Sequence, residues 1–592
     1  MELHEAANRA GVATEYHGLS GELRTVPDET VEAVLAAIGP EGEAPGYRVV
    51  EANAPVDPEL TGEAEWRLTY EDGVEIEGRG SLPPLPLGRH CLHLGGRDEW
   101  LLSAPKALPL PERCWGMTLP LYGLRGAERG GLADYADLAV AVEALAGVGA
   151  GFVGLNPVHA GFGADPFHIS PYSPSHRRRL STHYIPVAGD AEGAGGLVDY
   201  KASLPVRQAA LDAAYAVYED DGRFARFQAR ADGLRAFATY EALAEVHGPN
   251  WNTWPAAFRE PTSKEVHAFA QERHARVRFH EWLQFRAWQD LIQVGERAKD
   301  AGLRHGLYLD LAVGTHPYGA ETWAERESFA EGVSLGAPPD AFAEDGQRWG
   351  LAPFNPRALV ASGFKELAET LRWQMRFAGM LRVDHILGFE RAFWLPEGLP
   401  GTYVAMPRDA MLAVLRIEAA RAGCIVVGED LGNVPDGLRW ELSERGVLGC
   451  DVAMFEPGKR AEHYRERALA SFGTHDLPTW IGWREGRDIA ARLGIGEIDE
   501  GAAGAARDAR RADVQAFQEH TGGDVHGFLA RTTARLVAVQ AEDVFEAVEQ
   551  SNLPGTVESH PNWRRRVPVD VEDWAGDERL RRVGQVMHRA GR

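Results

Sequence analysis

The sequence predicts an α/β chain: a (β/α)8 barrel with large helical and loop insertions, preceded by a small helical segment and a small β-sandwich-like domain. Three observations carry this prediction. From Trp115 onward, amphipathic helical stretches alternate with buried strand-like runs over hundreds of residues, the pattern of a parallel α/β architecture. Three of those runs end on a carboxylate: Gly379-Met-Leu-Arg-Val-Asp384, Ile425-Val-Val-Gly-Glu429 and Ala470-Ser-Phe-Gly-Thr-His475-Asp476. Functional groups of a β/α barrel sit where its strands run out into the loops above. The residues before Trp115 lack the alternation and divide into two differently patterned segments.

Residues 1–45 read as helical. Pro27-Asp-Glu-Thr30 opens a helix through Val31–Ile38, and Gly39-Pro40 stops it. Residues 46–112 carry short alternating runs, Tyr47–Val50, Trp66–Tyr70, His90–Leu94 and Glu99–Leu102, cut by Gly, Pro and Asp turns as in a small sandwich. Pro105 to Pro111 makes a linker. The barrel takes 113–592, with the helix Asp134–Gly147 and strand runs at Gly151–Asn156, Gly306–Asp310, Arg382–Asp384, Cys424–Val427 and Arg535–Val539. Two stretches interrupt the alternation and read as insertions: a helical one at about 195–300, and a Gly- and Pro-rich loop at about 314–360 over the strand ends.

Composition narrows the function. With 44% hydrophobic and 25% charged residues the chain is an ordinary globular one, and a net charge of −25 lacks the basic footprint of nucleic-acid binding. Four cysteines without a C-x-x-C pair, and an N-terminus without a signal-peptide layout, imply a reducing, cytoplasmic setting. No apolar run is long enough to span a bilayer. There is no P-loop, no H-E-x-x-H and no dinucleotide fingerprint, and the 21 histidines lack metal-ligand spacing. Neither metal nor organic cofactor is expected.

The three acids carry the chemistry. Arg382 and Asp384 point to one face of a strand, and the arginine favours an ionised carboxylate there, suited to a nucleophile. Glu429 follows three apolar residues and a glycine, where partial desolvation raises a carboxyl toward general-acid duty. Asp476 ends its run beside His475 and can hold sugar hydroxyls. Each acid alone reads more readily as a helix cap or turn residue. Together, three strand-end carboxylates fit the cutting of a glycosidic bond. Trp349 and Phe342 can stack on sugar rings or simply pin a loop, and Ser170-Pro-Tyr172-Ser-Pro174 presents one tyrosine from a rigid loop.

Beyond these residues the chain resembles the 4-α-glucanotransferases of the amylomaltase, or disproportionating-enzyme, type in glycoside hydrolase family 77. The resemblance runs from Trp115 to about Asp573. It rests on Ser170–Pro174, Gly336-Ala-Pro-Pro-Asp340, Gly346–Leu351, Arg382–His385, Gly428–Gly432, Thr474–Asp476, Asn552–Thr556 and His560–Arg565. It implies Asp384 as nucleophile, Glu429 as acid/base and Asp476 as transition-state stabiliser. It further implies Tyr172, Asp310, Arg382, His385 and His475 at the reacting glucose, and Asp340, Phe342 and Trp349 on a loop covering the donor glucan. Ala341 stands where many members carry an aromatic residue. The implied activity is transfer of α-1,4-glucan segments between maltooligosaccharides or starch- and glycogen-type glucans, releasing glucose. An α-glucan hydrolase on the same barrel, or a non-catalytic glucan binder, are the other readings.

Overall fold

Eight short, apolar strands after the N-terminal region pair in chain order into one parallel ring: β1 (Cys114–Leu119), β2 (Phe152–Leu155), β3 (Gly306–Leu311), β4 (Met380–Val383), β5 (Ile425–Gly428), β6 (Gly449–Val452), β7 (Ala468–Ser471) and β8 (Leu536–Gln540). β8 pairs back onto β1, and the parallel bridge Val427↔Leu448 joins β5 to β6 and closes the barrel. The computed structural model describes residues 2–592 apart from 19–20, 43, 128–130, 164, 188–195 and 340–345.

Register fixes what lies at the top of the ring. Asp310 on β3 pairs with Arg382 on β4, and Val383 pairs with Gly428 on β5. Side chains two residues apart share a face, so Tyr308 and Asp310 both face inward, as do Met380, Arg382 and Asp384. Below the charged row the interior is filled by Phe152, Tyr308, Met380, Val427, Leu469 and Leu536. Gly116 makes room for this packing, since a Cβ there would lie 2.4 Å from Phe152.

Two segments interrupt the plain alternation. The last helix of the first, His274–Asp300, leads directly into β3 and packs beside the helix Tyr135–Gly147 as part of the barrel, so the helical insertion ends before it. Between β2 and β3 lie the helices Tyr200–Ala216, Arg223–Gln228, Leu234–His247, Ala256–Arg259, Lys264–Glu272 and the long His274–Asp300, which buries Trp282, Phe285 and Leu291. Between β3 and β5 an antiparallel sheet orders Gln347–Arg348, Val333–Ala337, Arg391–Pro396 and Thr402–Ala405. Its first hairpin connects through residues 338–346, so Asp340, Ala341 and Phe342 fall outside the described residues.

Residues 46–104 differ from a sandwich. They form one five-stranded sheet, ordered Gly46–Glu51, Arg97–Ala104, Gly88–Leu94, Glu65–Thr69 and Glu75–Arg79. One face closes on its own loops through Trp66, Leu68, Leu92, Leu101, Val56, Leu82 and Leu85. The other face lies on the barrel helices Lys365–Met375 and Arg408–Ala422, with Tyr47 against Phe364 and Trp100 over Gly363. The second layer is thus helical, which is why alternation alone reads as a sandwich. The N-terminal segment also carries more than helices: a hairpin, Glu15–His17 with Leu23–Thr25, separates Glu2–Ala10 from Asp28–Ile38. The second of those helices starts after Pro27 and ends at Gly39, whose φ of 86° only glycine adopts freely. Among the described residues no helix is long and apolar enough to cross a membrane. All four cysteines are free, two of them buried.

An ion cluster locks the five-stranded sheet to the barrel. Arg372 reaches both Glu71 and Glu418 at 2.8 Å, Arg421 bridges the same two acids, and Arg89 donates to the Gly363 carbonyl at 2.7 Å. Burial alone would raise the Glu71 carboxyl, but Arg421, Arg89 and Arg372 outweigh it and hold it at about 2. A depressed carboxylate contributes stability that is present above its ordinary 4.5 and is lost as pH falls toward about 2. Glu71→Gln should therefore lower the Tm at neutral pH and blunt the acid-induced loss of tertiary structure, followed by near-UV circular dichroism. An unchanged Tm and an unchanged acid profile would remove the cluster from the docking argument.

Candidate active site

A cavity of about 1490 Å3 opens above the C-terminal ends of the barrel strands. Tyr172, Trp349, Arg382, Asp384, His385, Glu429, His475 and Asp476 all line it. Eight of the eleven residues singled out in the sequence thus converge, although they come from segments more than 300 positions apart. Asp310 lies directly behind this wall, and Asp340 and Phe342 lie outside the described residues.

Asp384 is the first residue past β4, and Glu429 the first past β5, so the Val383–Gly428 pairing sets the two carboxylates at one level. Arg382 Nη1 contacts Asp384 Oδ1 at 2.7 Å and both oxygens of Asp310 at 2.8 and 2.9 Å. The two anions keep this buried guanidinium protonated against the cost of desolvation. Tyr172 donates its hydroxyl to Asp310 Oδ2 at 2.6 Å. Burial pushes the Asp310 carboxyl up against the pull of Arg382.

Glu429 sits in a different field. Its oxygens accept from the backbone N–H of His385 at 2.9 Å and of Leu431 at 3.1 Å. Burial is the main influence on its proton; Arg382 opposes it, the Asp384 charge adds to it, and the carboxyl rises to about 7. The His385 amide reaches Glu429 because His385 takes a left-handed backbone, φ 46° and ψ 57°. Such a conformation costs a non-glycine residue about 1–3 kcal/mol and is held by its surroundings. Here the Trp349 ring packs edge-on at 5.1 Å from the His385 ring. Burial holds His385 below its ordinary value.

Asp476 and His475 follow β7 by several residues. Burial disfavours the His475 imidazolium, but Asp476, 3.3 Å away, outweighs it and the value rises. Tyr172 stacks flat on His475 with centroids 4.3 Å apart. Asp476 is driven down to about 2: burial would raise it, while His475 and Asn552 hold the anion. Its side chain keeps 45% of its surface open toward the cavity. An ionised carboxylate is therefore presented to whatever fills that space.

Two contributors were not assigned a role from sequence. Asn552 donates from Nδ2 to Asp476 Oδ1 at 2.7 Å, and Trp563, at φ 58°, tilts against Tyr172 and His475. Both belong to motifs that carried the resemblance, but 76 positions separate Asn552 from its partner and no spacing rule links an amide to a distant acid. The Asn552 loop is itself pinned: Gln550 Nε2 donates to Asn552 O at 2.6 Å, Leu553 N to Asn562 Oδ1 at 2.9 Å and Trp563 N to Ser551 O at 3.0 Å.

One carboxylate ion-paired to arginine beside a second brought near neutral by burial, at the mouth of a (β/α)8 barrel, defines an enzyme that works on glycosidic bonds. Comparison with known proteins narrows the class. The sequence profile of the 4-alpha-glucanotransferases, glycoside hydrolase family 77, matches residues 119–571, and the chain belongs to that family. It is 32% identical to a 4-alpha-glucanotransferase of Mycobacterium tuberculosis over a 711-residue alignment covering 99% of this chain and 98% of the relative. It is 28% identical to a 4-alpha-glucanotransferase of Haemophilus influenzae, with 95% of each chain covered. The crystal structure of amylomaltase from Corynebacterium glutamicum superposes with a TM-score of 0.83 at 27% identity over 99% of both chains. An amylomaltase of Streptococcus agalactiae, solved in complex with acarbose, superposes at 0.69 with 19% identity, covering 81% of this chain and 100% of its own, and shows the shared fold.

Asn552→Ala removes a hydrogen bond to a charged group, an interaction of about 1.5–3 kcal/mol. If the bond is needed to orient Asp476, kcat should fall by about 10- to 100-fold with little change in Tm. A kcat within about twofold of wild type would show that Asp476 is held without it.

Proposed function

We propose that this cavity performs α-1,4-glucan transfer with retention of configuration, Asp384 as nucleophile, Glu429 as acid/base and Asp476 as stabiliser of the transition state. The observation that carries the reading is the contrast between the two strand-end carboxylates: Asp384 paired to Arg382 at 2.7 Å, and Glu429 raised to about 7 mainly by burial. A nucleophile must be ionised and an acid must hold its proton near neutrality.

In the first displacement an Asp384 oxygen attacks the anomeric carbon of the donor glucan. The bond to the glycosidic oxygen breaks as Glu429 delivers its proton there, leaving a β-linked glucosyl-enzyme and a shortened chain with a free 4-hydroxyl. In the second, the 4-hydroxyl of an acceptor glucan gives its proton to Glu429 and its oxygen displaces Asp384, restoring the α linkage. Positive charge develops on the ring in both transition states, and the Asp476 carboxylate, held at about 2, is available to hydroxyls of the reacting sugar. Tyr172, His475, Arg382, His385 and Trp349 are assigned to the walls around that sugar. Asp310 is assigned to holding Arg382 and Tyr172, since both its oxygens are engaged there. Asp340 and Phe342 keep their assignment to the donor-covering loop on the family resemblance alone. The bond made matches the bond broken, so chain lengths are shuffled near thermoneutrality among maltooligosaccharides and starch- or glycogen-type glucans. The four free cysteines support a reducing, cytoplasmic setting for this work.

Asp384→Ala should lower transfer by about 10^4-fold or more while far-UV circular dichroism stays that of wild type. Near-normal activity in that variant would sink the assignment. Maltotriose should yield glucose together with a ladder of longer maltooligosaccharides; shorter sugars alone would mean hydrolysis. The rate of the first displacement should fall as pH rises through about 7, where Glu429 loses its proton. In Glu429→Gln that alkaline limb should vanish and the remaining rate drop by about 10^2- to 10^4-fold.

A further inference from the structure

Past Glu429 the cavity wall continues through Leu431, Gly432 and Asn433, then passes to Tyr403, Phe393 and Arg391. These last three belong to the antiparallel sheet, not to the barrel. Asn433 Nδ2 donates to the Tyr403 hydroxyl at 3.2 Å, the Arg391 guanidinium lies 4.2 Å from the Tyr403 centroid, and the Phe393 and Tyr403 rings meet edge-on at 5.1 Å. Phe393 and Tyr403 are buried, 2% and 8% exposed, so they back this wall without offering a stacking face. What they support are the more open Arg391 and Asn433, whose guanidinium and amide N–H groups suit the hydroxyls of a sugar chain.

What fixes this wall comes from the other end of the sequence. Thr402–Ala405 is the edge strand of its sheet, and its outer side is taken by residues 11–13. Ala13 N donates to Tyr403 O at 2.9 Å, Ala405 N to Gly11 O at 2.8 Å, and Thr402 Oγ1 to Ala13 O at 2.6 Å across 389 positions. A side chain at Gly11, φ +73°, would put its Cβ 3.0 Å from that of Ala405. Tyr16 then meets both cavity rings from behind, edge-on, at 5.5 Å from Phe393 and 5.6 Å from Tyr403. Val31, Val34 and Ile38 complete the seal by packing with Trp394 and Val404.

We propose that the N-terminal segment ending at Pro40 is a specificity element of the glucan cavity. Tyr16 acts as a positioning residue that fixes Phe393 and Tyr403; these rings hold Arg391 and Asn433, which bind the acceptor glucan beyond Glu429. The proposal rests on Glu429 being the acid/base, because that group faces the oxygen between donor and acceptor sugars. The segment itself touches no sugar; it holds the rings against which the sugar-binding groups rest.

The test follows extension of a labelled maltose acceptor at saturating maltotriose in the full-length protein. Tyr16→Ala should raise the acceptor KM by about fivefold, the effect of losing the order of one or two immobilised side chains, with kcat within about twofold. Tyr16→Phe keeps the ring and should restore the wild-type KM. Val34→Ala is the structural control: it loosens the same segment away from the rings, so Tm should fall while the acceptor KM stays within about twofold. An unmoved KM in Tyr16→Ala, or an equal rise in Val34→Ala, overturns the proposal. Should Tyr16→Ala fail to fold, Tyr16→Leu takes its place with the same two readings. Wild-type protein that makes no maltotriose ladder would sink the transfer reading itself; a normal ladder with an unmoved KM sinks only the role of Tyr16.

Discussion

One guanidinium organises the cavity. Arg382 is buried between Asp310 and Asp384, and an unpaired charge there would cost several kcal/mol of lost hydration. Pairing it with two carboxylates offsets that cost, and the pairing is a matter of register, because Asp310 and Arg382 are direct neighbours across β3 and β4. A slip of either strand by one residue would turn its member of the pair to the outer face of the barrel and leave the other unpaired. The same register sets Asp384 level with Glu429, so the position of one cation and the relative position of two acids are fixed together. Tyr172 and His475 are tied into the assembly through the Tyr172 hydroxyl, which touches Asp310 at 2.6 Å and His475 Nδ1 at 3.0 Å. Substitutions at Arg382 should accordingly act on several groups at once and be strongly non-additive with changes at Asp310 or Asp384.

Much of this was legible in the sequence because it is local. A carboxylate that ends an apolar run, with arginine two positions earlier on the same face, needs no tertiary knowledge to be read as a strand-end site. β2, β3, β4, β5 and β8 were visible for the same reason. β1 and β6 were less so: Gly449–Val452 is four residues long and contains Asp451, whose carboxylate is consumed by Arg465. What stayed hidden is long-range. Asn552 reaches Asp476 across 76 residues, and residues 11–13 reach Tyr403 and its neighbours across almost 390. Hydrophobic periodicity reports which face of an element is buried, but not against what. That limit also explains the five-stranded sheet: its alternation is that of sandwich strands, with Trp66, Leu68 and Leu101 on the loop-covered face. Only the fold reveals that helices cover the other face, at Tyr47, Trp100 and Leu102.

The antiparallel sheet beside the cavity shows how a barrel gains an extended cavity wall. Barrel strands end at the level of the carboxylates, so groups that meet sugars farther along a chain must come from elsewhere. Here Gln347–Arg348, Arg391–Pro396 and Thr402–Ala405, inserted around β4, carry the cavity wall past that level. A small sheet of this kind is weak on its own, and its edge invites further pairing. The N-terminal segment occupies that edge and buries Val12, Val31, Val34 and Ile38 against it. The rings behind the cavity wall are therefore packed against a segment that the chain completes before the barrel begins.

The coupling between the two facing acids also gives the proposed cycle its direction. Before reaction, the Asp384 charge adds to burial in raising Glu429, while Arg382 pulls the other way. Attack on the anomeric carbon turns Asp384 into an ester and removes its charge. One of the two influences that favour the proton on Glu429 disappears, and the opposing one, Arg382, remains. The value of Glu429 must then fall, and the group that has just given up a proton becomes a better resting carboxylate, ready to take a proton from the acceptor. When the acceptor oxygen displaces Asp384, the charge returns and the acid is restored. Burial of Glu429 and its backbone contacts with His385 and Leu431 keep the group in place through both halves, so what alternates is the field of its neighbour and not its geometry.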